Sequence, residues 1–260
     1  SLAQYLGLLL TMIFSPLLVS VKPVSSDYGS GINVLLFWYG IITAVISAAT
    51  FFMIRERPPT PSSNEPFQEY SFKDSFQILF HKKHMGGLTI VFGLIWGLFI
   101  AFVSKVDGIM ALINIENSSG IIGVVLLTSG MAGSVVIPML SDYSRKRKKY
   151  FIISSAGILF GFIAFAFSPI ITKWIPEAST TLAITFSAIL GFFFMGAIPL
   201  GIQYASELGY PTPESASQGI LLIVGYCMGT IVLLFMVLKG GLFLERVLVV
   251  SVAFLFAACL

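Results

Sequence analysis

The sequence predicts an all-α integral membrane protein, and three observations carry that expectation. The chain of 260 residues is 57% hydrophobic and only 10% charged, whereas soluble domains carry about 25% charged residues. Its apolar residues are gathered into long runs, and roughly 20 apolar residues are what a helix needs to cross about 30 Å of hydrocarbon. Runs such as 121–140 do not alternate apolar with polar residues. Strands of a closed barrel, the other structure that satisfies its own backbone in lipid, would alternate.

Taken in order, spans are expected at about 2–21, 32–54, 86–106, 120–140, 150–167, 182–204, 215–238 and 242–260. Arg55, Arg57, Lys82 and Lys83 fall between the second and third spans, and the run Arg145-Lys146-Arg147-Lys148-Lys149 falls between the fourth and fifth. Strict alternation puts both loops on one side, and an excess of Lys and Arg marks the cytoplasmic side. The first span then runs outward and the last returns inward. Asn117-Ser118-Ser119, an N-glycosylation acceptor pattern, lands in a loop on the outer side. The chain opens at Ser1-Leu2 within one apolar run and stops at Leu260 within another, the pattern expected of a fragment of a longer chain.

The longest connection follows Ile54. It opens with Pro58-Pro59-Thr60-Pro61-Ser62-Ser63-Asn64, a stretch too rich in proline for regular structure. Phe72, Phe76, Leu79 and Phe80 then recur at helical spacing, opposite Lys73, Asp74, Gln77 and Lys82. Ser71 is placed to cap this helix, with Asp74 three residues on. An amphipathic helix of this kind is expected on the membrane surface, or as a linker between domains.

Composition also narrows the function classes. The net charge of +3 resides in loops and is no nucleic-acid footprint, so the expected partners are the lipid bilayer and a small-molecule solute, with no nucleic acid. Cys227 and Cys259 both sit in apolar runs, where thiols act as small apolar fillers; neither a disulfide framework nor a metal site is expected. His81 and His84 are the only histidines and lie in the basic linker without a carboxylate cluster. No enzyme and no cofactor are therefore expected. No Asp, Glu, Lys, Arg or His falls at the middle of a span, and proton-coupled carriers need an ionisable relay there.

Two segments carry more specific information. After the fourth span come Gly133, Pro138 and Ser141-Asp142-Tyr143-Ser144-Arg145-Lys146-Arg147-Lys148. This resembles the Gly-x-x-x-Asp-Arg-x-Gly-Arg-Arg loop of major facilitator carriers, with Lys146 standing in the region of the family's second glycine. Asp142 can accept helix N-terminal amides or pair with Arg145, and the basic run anchors the loop near anionic lipid. The second segment runs from Gly191-Phe192-Phe193-Phe194-Met195-Gly196-Ala197-Ile198-Pro199-Leu200-Gly201 to Glu207-Leu208-Gly209-Tyr210-Pro211-Thr212-Pro213-Glu214-Ser215. It resembles the end of helix ten and start of helix eleven in the feline leukaemia virus subgroup C receptor family, whose members are linked to choline, ethanolamine, haem or related solutes. Pro213 suits a helix start and Glu214 its first turn.

The resemblance implies a major facilitator bundle seen from helix five to helix twelve. Residues 1–54 would be the last two helices of the first half, 55–85 a cytoplasmic linker, and 86–260 the six-helix second half. It implies transport of a small organic, choline-like solute by alternating access, facilitated rather than proton-coupled. The alternative is a membrane receptor or scaffold without transport. The family's helix-seven aromatic residue, which helps cage a cationic head group, falls at Trp96. Its helix-eleven glutamine falls at Tyr226, a departure, and its helix-five glutamine near Gln4 or Tyr5. Trp faces attract quaternary ammonium groups. Asp142, Arg145, Glu207 and Glu214 are expected as gating contacts. Gln203 and Gln218, near span ends, are expected to be structural. Glycine pairs Gly93 and Gly97, Gly157 and Gly161, and Gly225 and Gly229 let helices approach closely.

Overall fold

A computed structural model of the protein describes residues 6, 7, 9–11, 14, 31–53, 72–82, 84–106, 119–174 and 179–238. The spans expected at 242–260 and over most of 2–21, the proline-rich stretch, Ser71 and the Asn117 acceptor lie outside the described residues. All regular elements among the described residues are helices: α1 (Ile32–Met53), α2 (Phe72–His81), α3 (Met85–Ser104), α4 (Ser119–Ser144), α5 (Arg147–Trp174), α6 (Ser179–Gly209) and α7 (Glu214–Leu238). Six of these, all but the short α2, are long and apolar enough to cross a membrane. The protein is a multi-pass integral membrane protein, as its composition predicts.

The chain divides into two compact units, Leu10–Glu69 on one hand and Ser1–Leu9 with Tyr70–Leu260 on the other. In the first, α1 is a continuous 22-residue helix that buries none of its residues. In the second, α3 packs along α7, and α6 packs against α4, α5 and α3. Water does not drive helices together inside lipid, so close backbone approach and side-chain interlock must do it. Both are present.

Two glycine seams bring backbones together. A Cβ on Gly97 of α3 would lie 2.7 Å from the Gly229 nitrogen of α7. A Cβ on Gly133 of α4 would lie 2.0 Å from the Phe192 carbonyl oxygen of α6, and one on Gly191 would lie 2.0 Å from that of Leu126. Between the seams is an aromatic cluster. Phe194 of α6 stands 5.7 Å from Phe99 and 5.5 Å from Phe162, and Phe102 stands 5.6 Å from Phe165. Such tilted and edge-to-face rings set the negative face of one against the positive edge of the next. Buried hydroxyls of Thr89 and Ser155 donate to carbonyls one turn back, Met85 and Phe151, at 2.8 Å, as polar groups in lipid must.

The amphipathic helix α2 buries part of its apolar face against the bundle. Leu79 is fully buried, because α2 packs on α7 and α3 and sets Leu79 beside Gly209. Lys82 Nζ donates a hydrogen bond to the Tyr210 carbonyl. Leu79 is packed into the bundle, while Phe76 stays 43% exposed.

Candidate functional site

Trp96 lies eleven residues into α3, and Tyr226 twelve residues into α7. At 1.5 Å per residue both stand about 17 Å from their helix starts, near the middle of a membrane. The glycine seam places them: a Cβ on Gly225 would meet the Trp96 ring at 2.6 Å, so only glycine lets the indole lie against α7. The Trp96 and Tyr226 rings meet edge to face, centroids 5.8 Å apart at 84°. Phe92 stacks on the indole at 6.2 Å and Phe99 tilts against it at 6.3 Å.

The two rings differ in access. Trp96 is 4% exposed and Tyr226 is 54% exposed. The expected cage aromatic is thus held behind Tyr226, which presents the open face. The Trp96 Nε1–H is buried and finds no acceptor among the described residues. A buried donor left without a partner costs about 1–3 kcal/mol. Gln4 and Tyr5, the other expected pocket residues, lie outside the described residues.

A second constellation forms at the end of the bundle that carries the basic turn. Arg147, the first residue of α5, joins two carboxylates: its Nη1 donates to Asp142 Oδ1 at 2.7 Å, and its Nε donates to Glu207. The expected partner of Asp142 was Arg145, and the turn geometry explains the difference. Arg145 adopts a left-handed conformation, φ 51°, and its backbone N–H bonds the Asp142 carbonyl at 3.3 Å. It makes the tight turn, and its side chain is exposed. The chain then reverses and returns Arg147, not Arg145, to Asp142. Ser144 Oγ and the Tyr150 hydroxyl, 2.9 Å apart, close the same turn.

Glu207 lies between two clefts. One, of about 650 Å³, is lined by Arg145 to Lys149, Ile152, Ile153 and Tyr204 as well as Glu207. The other, of about 760 Å³, is lined by Gln203, Ser206, Glu207, Tyr210, Glu214 and Gln218 among others. Gln203 and Gln218, expected to be structural, therefore share a cleft with the two glutamates. Glu214 forms no ion pair among the described residues, and Arg147 is the functional candidate that sequence reasoning passed over. Among the described residues, no group of three His, Cys, Asp or Glu is placed to hold a metal ion.

With this geometry in view, the protein is an integral membrane helical bundle of the major facilitator type. The relatives it resembles make that class more particular. The chain is 29% identical over 253 residues to the choline/ethanolamine transporter FLVCR1 of Felis catus, covering 93% of this chain and 43% of that protein. It is 29% identical over 207 residues to FLVCR1 of Mus musculus, covering 76% and 36%. It is 28% identical over 228 residues to the uncharacterized MFS-type transporter C09D4.1 of Caenorhabditis elegans, covering 83% and 37%. The chain spans less than half the length of each. No protein-family model matches it.

Proposed function

We propose that the protein is a solute carrier that moves a small, cationic, choline-like organic molecule across a membrane by alternating access. In this reading residues 1–54 supply the last two helices of one half, 55–85 the linker, and 86–260 the second half. The observation that carries it is the Trp96–Tyr226 pair. The two rings meet at membrane depth, with the phenol of Tyr226 half-exposed and the indole of Trp96 buried behind it, and aromatic faces of this kind attract a quaternary ammonium. The Trp96 Nε1–H, buried without an acceptor among the described residues, reaches a solute oxygen once Tyr226 moves aside. The likeness to proteins named as choline/ethanolamine transporters supports the same solute class. Tyr226 in place of the family's glutamine shifts the site toward aromatic recognition. The family resemblance adds Gln4 or Tyr5 as a further solute contact in this reading.

The composition of the described helices supports transport without a proton relay. The described spans carry Asp, Glu, Lys and Arg only at their ends, so the solute gradient drives net flux. Asp142, Arg147 and Glu207 hold α4, α5 and α6 together at one end, with Glu214 across the neighbouring cleft and Arg145 shaping the turn. Their contacts exchange as the half rocks, which is the gating role.

The test is radiolabelled choline uptake by the full-length protein in proteoliposomes. Uptake is expected to saturate, to persist when a protonophore collapses the proton gradient, and to fall by about tenfold or more in Trp96→Ala, the scale of a desolvated cation–π contact. Absence of saturable flux sinks the carrier reading and returns the receptor or scaffold. Saturable flux that Trp96→Ala leaves untouched sinks the site.

A further inference from the structure

Charge in the α4–α5 turn does not balance. Five consecutive cations, Arg145 to Lys149, line the cleft of about 650 Å³. The one carboxylate in that lining is Glu207, and Arg147 already holds it together with Asp142. Arg145, Lys146, Lys148 and Lys149 are exposed and form no ion pair among the described residues. Four like charges within five residues repel one another, and a compact turn that gathers them is stabilised by an anion from outside.

The backbone adds to the same field. α5 begins at Arg147, so its first amide N–H groups have no acceptor within the helix and face the turn. The far wall of the cleft is of another kind. Ile152 and Ile153 are 37% and 43% exposed and line the same space, one turn beyond the cations. A ligand that fills this cleft carries a multivalent anion at one end and an apolar continuation at the other.

We propose that Arg145, Lys146, Lys148 and Lys149 form a site for a multiply charged phosphate group. Two sources have that chemistry, the headgroup of an anionic membrane lipid and a soluble polyphosphate. Ile152 and Ile153 favour the lipid. Arg147 stays with its carboxylates and fixes the turn, so that ligand occupancy and the α4–α5–α6 linkage meet at one residue.

The test is calorimetric titration of the full-length protein in uncharged detergent with three probes: dioctanoyl phosphatidylinositol bisphosphate, inositol trisphosphate and inorganic pyrophosphate. The short-chain lipid is expected to bind saturably, more weakly as salt rises, and tenfold or more weakly in Lys146→Gln/Lys148→Gln/Lys149→Gln. The side chains of the three lysines form no hydrogen bond or ion pair among the described residues, so that variant is expected to melt at or slightly above the wild-type temperature as like-charge repulsion is relieved; Lys105→Gln, outside the cleft, is expected to bind as wild type. Lipid binding at least tenfold tighter than inositol trisphosphate assigns the site to a lipid headgroup; equal binding of the two assigns it to soluble phosphate. Either result supports the site. No saturable binding of any probe, or undiminished binding by the triple variant, overturns it.

Discussion

Helices α1 and α3 are nearly the same to a hydropathy scale and opposite in their packing. Their mean hydropathies are 2.0 and 2.2, yet none of the α1 window is buried and 72% of the α3 window is. The two helices belong to different compact units, and among the described residues α1 has no second long helix in its unit to pack on, whereas α3 has α6 and α7. Gly40 of α1 has open space where a Cβ would go, whereas Gly93 and Gly97 of α3 face Val224, Met228 and Gly229 of α7 at contact distance. Hydropathy decides that a segment enters lipid. The spacing of its smallest residues decides which helix it meets there.

The largest expected effect comes from filling a seam. Gly133→Leu drives a side chain into the Phe192 backbone, which cannot step aside as a flexible side chain would. A loss of about 3 kcal/mol, at the upper end for overpacking, lowers Tm by roughly 6–12 °C in a chain this size, read by thermal unfolding in detergent. Gly97→Ala is expected to be milder, about 1–2 kcal/mol, because only one methyl enters and its nearest approach, 2.7 Å to the Gly229 nitrogen, is longer than the 2.0 Å at Gly133. A Gly133→Leu protein that melts as wild type would mean that the α4–α6 seam is not closed.

Smaller effects test the ion cluster. Asp142 and Glu207 side chains are about half exposed, so solvent screens their pairs with Arg147. The Arg147→Gln/Glu207→Gln double-mutant cycle is expected to give a coupling of about 0.5–1 kcal/mol, shrinking with added salt. The smallest effect belongs to α1: Gly40→Ala meets nothing and is expected to be neutral or to stabilise by up to about 1 kcal/mol. A large destabilisation there would show that α1 is packed as tightly as α3.

How far the sequence was legible follows the same division. The spans could be read because lipid tolerates little else over 20 residues. The α3–α7 seam was legible as two four-residue glycine pairs. The α4–α6 seam was not, because Gly130 and Gly133, and Gly191 and Gly196, are three and five residues apart and pass through a four-residue filter. Trp96 and Tyr226 were each named as candidates through family resemblance; their contact, and the burial of one behind the other, depend on Gly225 and appear only in the packed helices. Arg147 could not be told from four neighbouring cations. Only the left-handed turn at Arg145 decides which cation returns to Asp142. The fate of Leu79 was ambiguous for a related reason, since an apolar helix face suits a bilayer surface and a bundle equally well.

We propose that the solute is held at Tyr226 and the buried indole of Trp96 beside it. Replacing Trp38 and Trp174 with Phe leaves Trp96 as the sole indole, and its emission during a choline titration of the full-length protein reports on that ring alone. A saturable change in emission is expected, with a midpoint that matches half-saturation of uptake and that Tyr226→Ala weakens. Emission that stays flat across concentrations that saturate uptake would contradict it.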